Sequence, residues 1–167
     1  YYKNFLDWGM DGEPINLCDD VIKWLKKNIP SDSNPNKLCW GDSRLGNVLY
    51  KDYKATALLD WEMSSVGDPI SDLAWGFAVD DASSLGLGIK KLEGSLDSNE
   101  AIDIWEKNTN LSSKNYKFYR IFSLLKFSII MIRVAKKLMI NNIIELEKDF
   151  YKNNYISNFL EKEFKQI

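Results

Sequence analysis

Apolar residues at Ile15, Leu17, Val21, Ile22, Trp24, Leu25 and Ile29 recur with roughly the spacing of one helical face. Pro14 suits the first turn, where its missing N–H costs nothing. The pattern predicts a helix from Glu13-Pro14 to Asn28, ended near Pro30. The polar run Ser31-Asp32-Ser33-Asn34-Pro35-Asn36 reads as a loop. The period then shortens, and Lys37–Trp40, Val48–Lys51 and Ala55–Leu59 read as short strands forming a small sheet. Asp52-Tyr53-Lys54 supplies the hairpin turn between the last two. Asp42 and Asn47 then flank one loop, and Asp60 ends the returning strand.

The rest of the chain has helical spacing. Pro69 opens a helix carrying Ile70, Leu73, Ala74, Trp75 and Phe77 on its apolar side. Gly86-Leu87-Gly88 lacks the remainder of a phosphate-loop motif and is read as an ordinary connection. Ser98-Asn99-Glu100 starts a helix through Trp105 and Lys107, and Ser112 or Ser113 caps the longest one, from Lys114 to about Met139. A final helix is expected from Asn142 to about Phe164, carrying Ile144, Phe150, Tyr155, Phe159 and Leu160. The expected fold class is α+β: a single, mostly helical domain over residues 1–167 with a small hairpin on one side, without repeat or linker.

Composition narrows the chemistry. With 45% hydrophobic and 13% aromatic residues in 167, the chain can bury a sizeable core. Twenty-two basic and 24 acidic residues leave a net charge of −2, which argues against nucleic acid or an anionic membrane as partner. The most apolar stretch, Ile121 to Val134, is broken by Lys126 and Arg133 and is shorter than the ~20 residues a bilayer requires. It reads as a buried helix. Only Cys18 and Cys39 are present, too few for a disulfide framework, so a reducing compartment, the cytoplasm, is expected. There is no histidine. Ser-His-Asp and Cys-His catalysis, and zinc sites built on imidazole, are thereby excluded in their usual forms.

The segment Leu38-Cys39-Trp40-Gly41-Asp42-Ser43-Arg44-Leu45-Gly46-Asn47-Val48-Leu49-Tyr50, followed by Ala57-Leu58-Leu59-Asp60-Trp61-Glu62, places two acids and an amide at the ends of apolar strands. Phosphoryl transfer asks for an acceptor held in line, a carboxylate near its hydroxyl proton, and magnesium on the phosphates. Taken singly, Asp42 and Asn47 also suit turns and Asp60 a cap. Taken together, the Gly-Asp-x-x-x-x-Asn spacing and the Leu-Leu-Asp-Trp-Glu that follows point to phosphoryl transfer.

This pattern resembles the catalytic and metal-binding loops of the aminoglycoside phosphotransferase and choline kinase group, distant relatives of protein kinases. The resemblance runs from about Asp7 to Arg133. It includes Gly67-Asp68-Pro69-Ile70-Ser71-Asp72-Leu73-Ala74-Trp75, similar to a segment of many small-molecule phosphotransferases. It is closest to kinases related to the kinase part of certain acyl-CoA dehydrogenase fusions. The resemblance implies a kinase-like C-terminal lobe, ATP and Mg²⁺ as cofactors, and a small hydroxylated acceptor, such as a hydroxy acid or its thioester. It implies Asp42 as catalytic base, Asn47 and Asp60 as metal ligands, and Asp72 as a support of the loop. Arg44 lies inside the loop, where it suits a phosphate or a substrate carboxylate, or an ion pair with Glu62 or Asp68. Glu62 is placed to orient a substrate hydroxyl or a water beyond the metal's own ligands. Most relatives have His where this chain has Trp40; an indole can support the loop there by packing.

Nothing before Asp42 looks like the flexible loop and lysine that a kinase's N-terminal lobe lays on the phosphates. The isolated chain is therefore expected to have little activity, with the missing lobe supplied in cis or its docking face covered in a homodimer. The alternative is a non-catalytic pseudokinase or binding module. A metal-dependent phosphohydrolase fits less well, because the acids are too few for two metal ions.

Overall fold

The computed structural model describes residues 1–143, 145 and 149–167. It is mostly helical: α1 spans Tyr2–Met10, α2 Asn16–Lys27, α3 Ile70–Ser84, α4 Ser98–Thr109, α5 Tyr116–Ile140 and α6 Tyr155–Phe164. Among the described residues four strands accompany them, β1 Lys37–Cys39, β2 Val48–Lys51, β3 Lys54–Leu58 and β4 Ser65–Gly67.

The long apolar run becomes the centre of the molecule. Leu124, Leu125, Ile129 and Ile132 of α5 are buried against Ala78 and Ala82 of α3, Val21 and Leu25 of α2, and Ile156 and Leu160 of α6. Each fully buried Leu or Ile contributes about 1.5–3 kcal/mol, so this face of α5 is a substantial part of what holds the domain together. The alanines on α3 bring its backbone close to α5, which matters because α3 also carries the residues that hold the loop after β1. Among the described residues no helix is long and apolar enough to cross a membrane.

The strands form two separate two-stranded antiparallel sheets rather than the single small sheet expected. β1 pairs with β4 in the register Lys37↔Gly67, Leu38↔Val66 and Cys39↔Ser65. β2 pairs with β3, with a register shift between Leu49 and Tyr50. Asp52 and Tyr53 adopt φ of 49° and 61°. Two consecutive left-handed residues are what a two-residue hairpin turn needs to match the twist of its strands.

Two boundaries depart from expectation. The longest helix begins at Tyr116, and neither Ser112 nor Ser113 caps it; Asn115 holds that place without a side-chain bond. Ser113 N–H instead donates to Glu106 Oε1 at 2.7 Å. The last helix starts at Tyr155, not Asn142: Asn142 has φ 52° just beyond the end of α5, and Asn154 opens α6 with a capping box to Ser157. Ile144, placed on that helix by its spacing, lies outside the described residues. Gly86 and Leu87 fall in a short 3-10 turn, Leu85–Leu87, that ends at Gly88 and connects α3 onward.

Candidate active site

The loop between β1 and β2 is held from the first two turns of α3. Asp72 accepts the backbone N–H of Trp40 at 2.7 Å on one carboxylate oxygen and that of Gly41 at 2.8 Å on the other. Its own carbonyl accepts the Ser43 hydroxyl at 2.6 Å. Gly76, one turn on, has no side chain to obstruct Ser43: a Cβ there would stand 2.6 Å from the Ser43 carbonyl oxygen. Gly41 has φ 89°, and a Cβ on it would lie 2.0 Å from the Met63 carbonyl oxygen. Only glycine fits this crossing, where the loop passes against the chain that leads into β4.

These restraints deliver Asp42 into a nearly closed setting, 8% exposed. Its Oδ1 accepts the indole N–H of Trp75 at 2.7 Å. Its Oδ2 accepts Asn47 Nδ2 at 2.7 Å and Arg44 Nε at 3.1 Å. Asn47 Nδ2 also donates to the Asp42 carbonyl at 3.1 Å. Both amide hydrogens of Asn47 thus go to Asp42, which fixes the amide's orientation and leaves its oxygen for another ligand. A carboxylate offers about four acceptor positions, and three are taken here, so one remains for an incoming hydroxyl. Arg44 pairs with Asp42 rather than with Glu62 or Asp68, the partners its position in the sequence suggests. Asp68 is occupied elsewhere, accepting Asn34 Nδ2 at 2.9 Å and the Ile70 N–H at 3.2 Å.

Asp60 sits at φ 60° at the head of a 3-10 turn, Trp61–Met63. The Leu59 N–H bonds the Asn47 carbonyl at 2.8 Å, which ties the chain next to Asp60 to the end of the loop. Trp40 also braces this corner: its indole N–H donates to the Leu59 carbonyl at 2.7 Å, and its ring lies 6.0 Å from that of Trp61. Asp42, Arg44, Asp60 and Glu62 all line one cleft of about 460 Å³, whose other wall includes Tyr2 and Phe127. A second hollow, of about 550 Å³ at the hairpin tip, is lined by Tyr50, Asp52 and Tyr53 and lacks such a convergence.

Among the described residues there is no group of three or more His, Cys, Asp or Glu side chains arranged to hold a metal ion. A hard cation with several water or phosphate ligands needs fewer protein donors. The oriented amide oxygen of Asn47 and the exposed carboxylate of Asp60 are both hard oxygen donors, so the donor set fits Mg²⁺ and disfavours a softer metal.

One contributor escaped the sequence reading. Lys126 of α5 is 9% exposed, and its Nζ donates to the Gly41 carbonyl at 3.1 Å. It lies 3.8 Å from the centre of the Trp75 ring. Burial lowers its pKa to about 8, against the opposing attraction of Asp42 and Asp72. The signal was visible as a lone lysine in an apolar run. The helical spacing puts Trp75 on the apolar side of its helix and does not show its bond to Asp42.

Residues 5–100 match the model described as the phosphotransferase enzyme family. Among curated proteins, acyl-CoA dehydrogenase family member 11 of Homo sapiens is 41% identical over 64 residues, 37% of this chain and 8% of that protein. The Gallus gallus protein of the same name is 29% identical over 140 residues, 77% of this chain and 18% of its own length. The chain therefore spans less than a fifth of these relatives. A solved structure from Ralstonia eutropha, assigned to the aminoglycoside phosphotransferases, superposes with a TM-score of 0.71 at 21% identity. That match covers 99% of this chain and 54% of the other, and it establishes a shared fold.

Proposed function

The chain belongs to the phosphotransferase enzyme family, and from that premise we propose that it carries the catalytic C-terminal lobe of an ATP- and Mg²⁺-dependent small-molecule kinase. The observation that carries this reading is the junction of Asp42, Asn47 and Arg44, with Asp60 on the same cleft. In the proposed reaction an acceptor hydroxyl binds at the open acceptor position of Asp42. Its oxygen attacks the γ-phosphorus as the bond to the β–γ bridging oxygen of ATP breaks, and Asp42 takes the hydroxyl proton. The products are a phosphate monoester and ADP.

The family's common chemistry depends mostly on positioning and charge neutralisation. Asn47 and Asp60 would hold Mg²⁺, which when bound neutralises the nucleotide phosphates. Arg44, at the cleft mouth and half exposed, is placed to release Asp42 and meet a phosphate oxygen. Glu62 faces the same space and is assigned to the acceptor's other polar groups. Trp40 and Asp72 support the loop without touching substrate. The opposite wall of the nucleotide site is assigned to an N-terminal lobe outside this chain. The acceptor is a small hydroxylated molecule, and the compartment proposed is the cytoplasm.

Calorimetric titration of the full-length protein with a non-hydrolysable ATP analogue tests the assignment. Binding is expected to require Mg²⁺ and to weaken about tenfold or more in Asn47→Ala and in Asp60→Ala. Equal affinity with and without Mg²⁺, unchanged in both variants, would refute the metal-site assignment.

A further inference from the structure

We propose that Lys126 and Trp75 act as a coupled pair that positions Asp42, Lys126 through the Gly41 carbonyl and the indole ring, and Trp75 through its N–H. The inference rests on the reading of Asp42 as the base. The loop is already anchored by Asp72, which takes the N–H groups of Trp40 and Gly41. Those bonds fix the backbone on one side only. The Gly41 carbonyl is held by Lys126 Nζ at 3.1 Å, so Gly41, the residue before Asp42, is gripped at its N–H from α3 and at its carbonyl from α5.

The second arm runs through the side chains. Lys126 Nζ lies over the Trp75 ring at 3.8 Å. A cation on the face of an indole draws on its electrons, which makes the N–H a stronger donor. That N–H points at Asp42 Oδ1 at 2.7 Å. Phe127 meets the Trp75 ring edge-on at 6.1 Å and limits its rotation. Lysine buried in an apolar helix face is costly unless it is used, and desolvation does lower its affinity for a proton. Asp42 and Asp72 act in the opposite sense, and Arg44 bonds Asp42 on its other oxygen, away from the indole. Lys126 is a positioning residue, since nothing places it on the substrate or the phosphates.

The test uses the full-length protein, ATP, Mg²⁺ and water as acceptor, with 5-fluorotryptophan in the tryptophan positions. The Trp75 ¹⁹F resonance is assigned by its loss in Trp75→Phe. In Lys126→Met and Trp75→Phe, kcat for ATP hydrolysis is expected to fall about tenfold or more with KM for ATP changed less than about threefold. The double variant is expected to lose no more than the worse single one, since each acts through the other. The Trp75 resonance is expected to shift in Lys126→Met and also in Asp42→Asn. Retained kcat in Lys126→Met, multiplicative losses in the double variant, or a Trp75 resonance unmoved by either substitution would overturn the pairing. Water turnover below detection leaves the resonance to decide in the same way. Full turnover in Asp42→Asn would instead overturn the assignment of the base itself, whichever way the lysine variants behave.

Discussion

Asn47 Nδ2 stands 2.7 Å from Asp42 Oδ2 and 3.1 Å from the Asp42 carbonyl oxygen, so one amide clamps both the side chain and the backbone of the acid. The residue assigned to the metal is thereby the one that sets the rotamer of the residue assigned to the proton. Metal placement and base placement are coupled by a single side chain. Asn47→Asp makes this visible. It keeps an oxygen donor but replaces the clamp with a second carboxylate facing Asp42. Turnover is expected to fall about 10²-fold or more even at saturating Mg²⁺, because like charges repel where a hydrogen bond was. Steady-state kinetics across a Mg²⁺ series measures this.

Asp72→Ala removes the acceptor for two loop N–H groups while leaving the fold of α3 intact. Each donor left without a partner costs about 1–3 kcal/mol when buried, so a loss of about 2–6 kcal/mol is expected for the two. Urea denaturation followed by tryptophan fluorescence reports it, and Asp72→Asn, which still accepts one N–H, is expected to lose about half as much.

Glycine substitutions separate crowding from helix preference. Gly41→Ala meets the Met63 carbonyl at 2.0 Å and carries a left-handed φ, so it is expected to cost about 3 kcal/mol or more and to displace the loop. Gly46→Ala meets nothing within 4 Å and is expected to be within about 0.5 kcal/mol of the parent. Thermal unfolding of the two variants in parallel checks the contrast.

Lys126 gives stability a distinctive pH dependence. Its pKa is about 8 in the folded chain, against 10.5 for an ordinary lysine. Below about 8 the amine is charged in both states, and the folded state bears the whole cost of burying the charge. Between these values the unfolded chain binds more protons, so this group's contribution rises with pH, by about 3 kcal/mol at most. The unfolding free energy of the parent minus that of Lys126→Met is therefore expected to increase from pH 8 to pH 10.5, measured by urea titration at each pH. A flat difference would contradict the shift.

What could be read from the sequence follows the range over which each signal acts. The Asp42–Asn47 spacing, the hairpin and the Pro69 helix are local, and the structure places them within a residue or two of where the pattern does. β4 is three residues long and defined only by its partner β1, far away in sequence, so no local periodicity announces it. α1 has no side-chain cap and no acid in its first turn, and its helix signal is correspondingly weak. The expected last helix reaches back to Asn142, yet Asn142 at φ 52° is not helical and α6 opens only at Asn154, through a capping box to Ser157. At the site, the local order of the chain sets Asn47 against Asp42 and puts Asp42 and Asp60 on one cleft. The partners of Lys126, the Gly41 carbonyl and the Trp75 ring, depend on how α3 and α5 pack, which the sequence states only as burial, whereas Arg44 turns to Asp42, two residues away in its own loop.

The most direct test of the central claim is transfer of radiolabel from γ-³²P-labelled ATP by the full-length protein to a panel of small hydroxylated acceptors with Mg²⁺, in parallel with Asp42→Asn of equal thermal stability. Labelled phosphate ester is expected from the parent, at a rate about 10²–10⁴-fold above that of the variant. Transfer by Asp42→Asn at the parental rate would contradict Asp42 as the base, and no transfer by a folded, nucleotide-binding parent to any acceptor or to water would contradict the kinase reading in favour of a binding module.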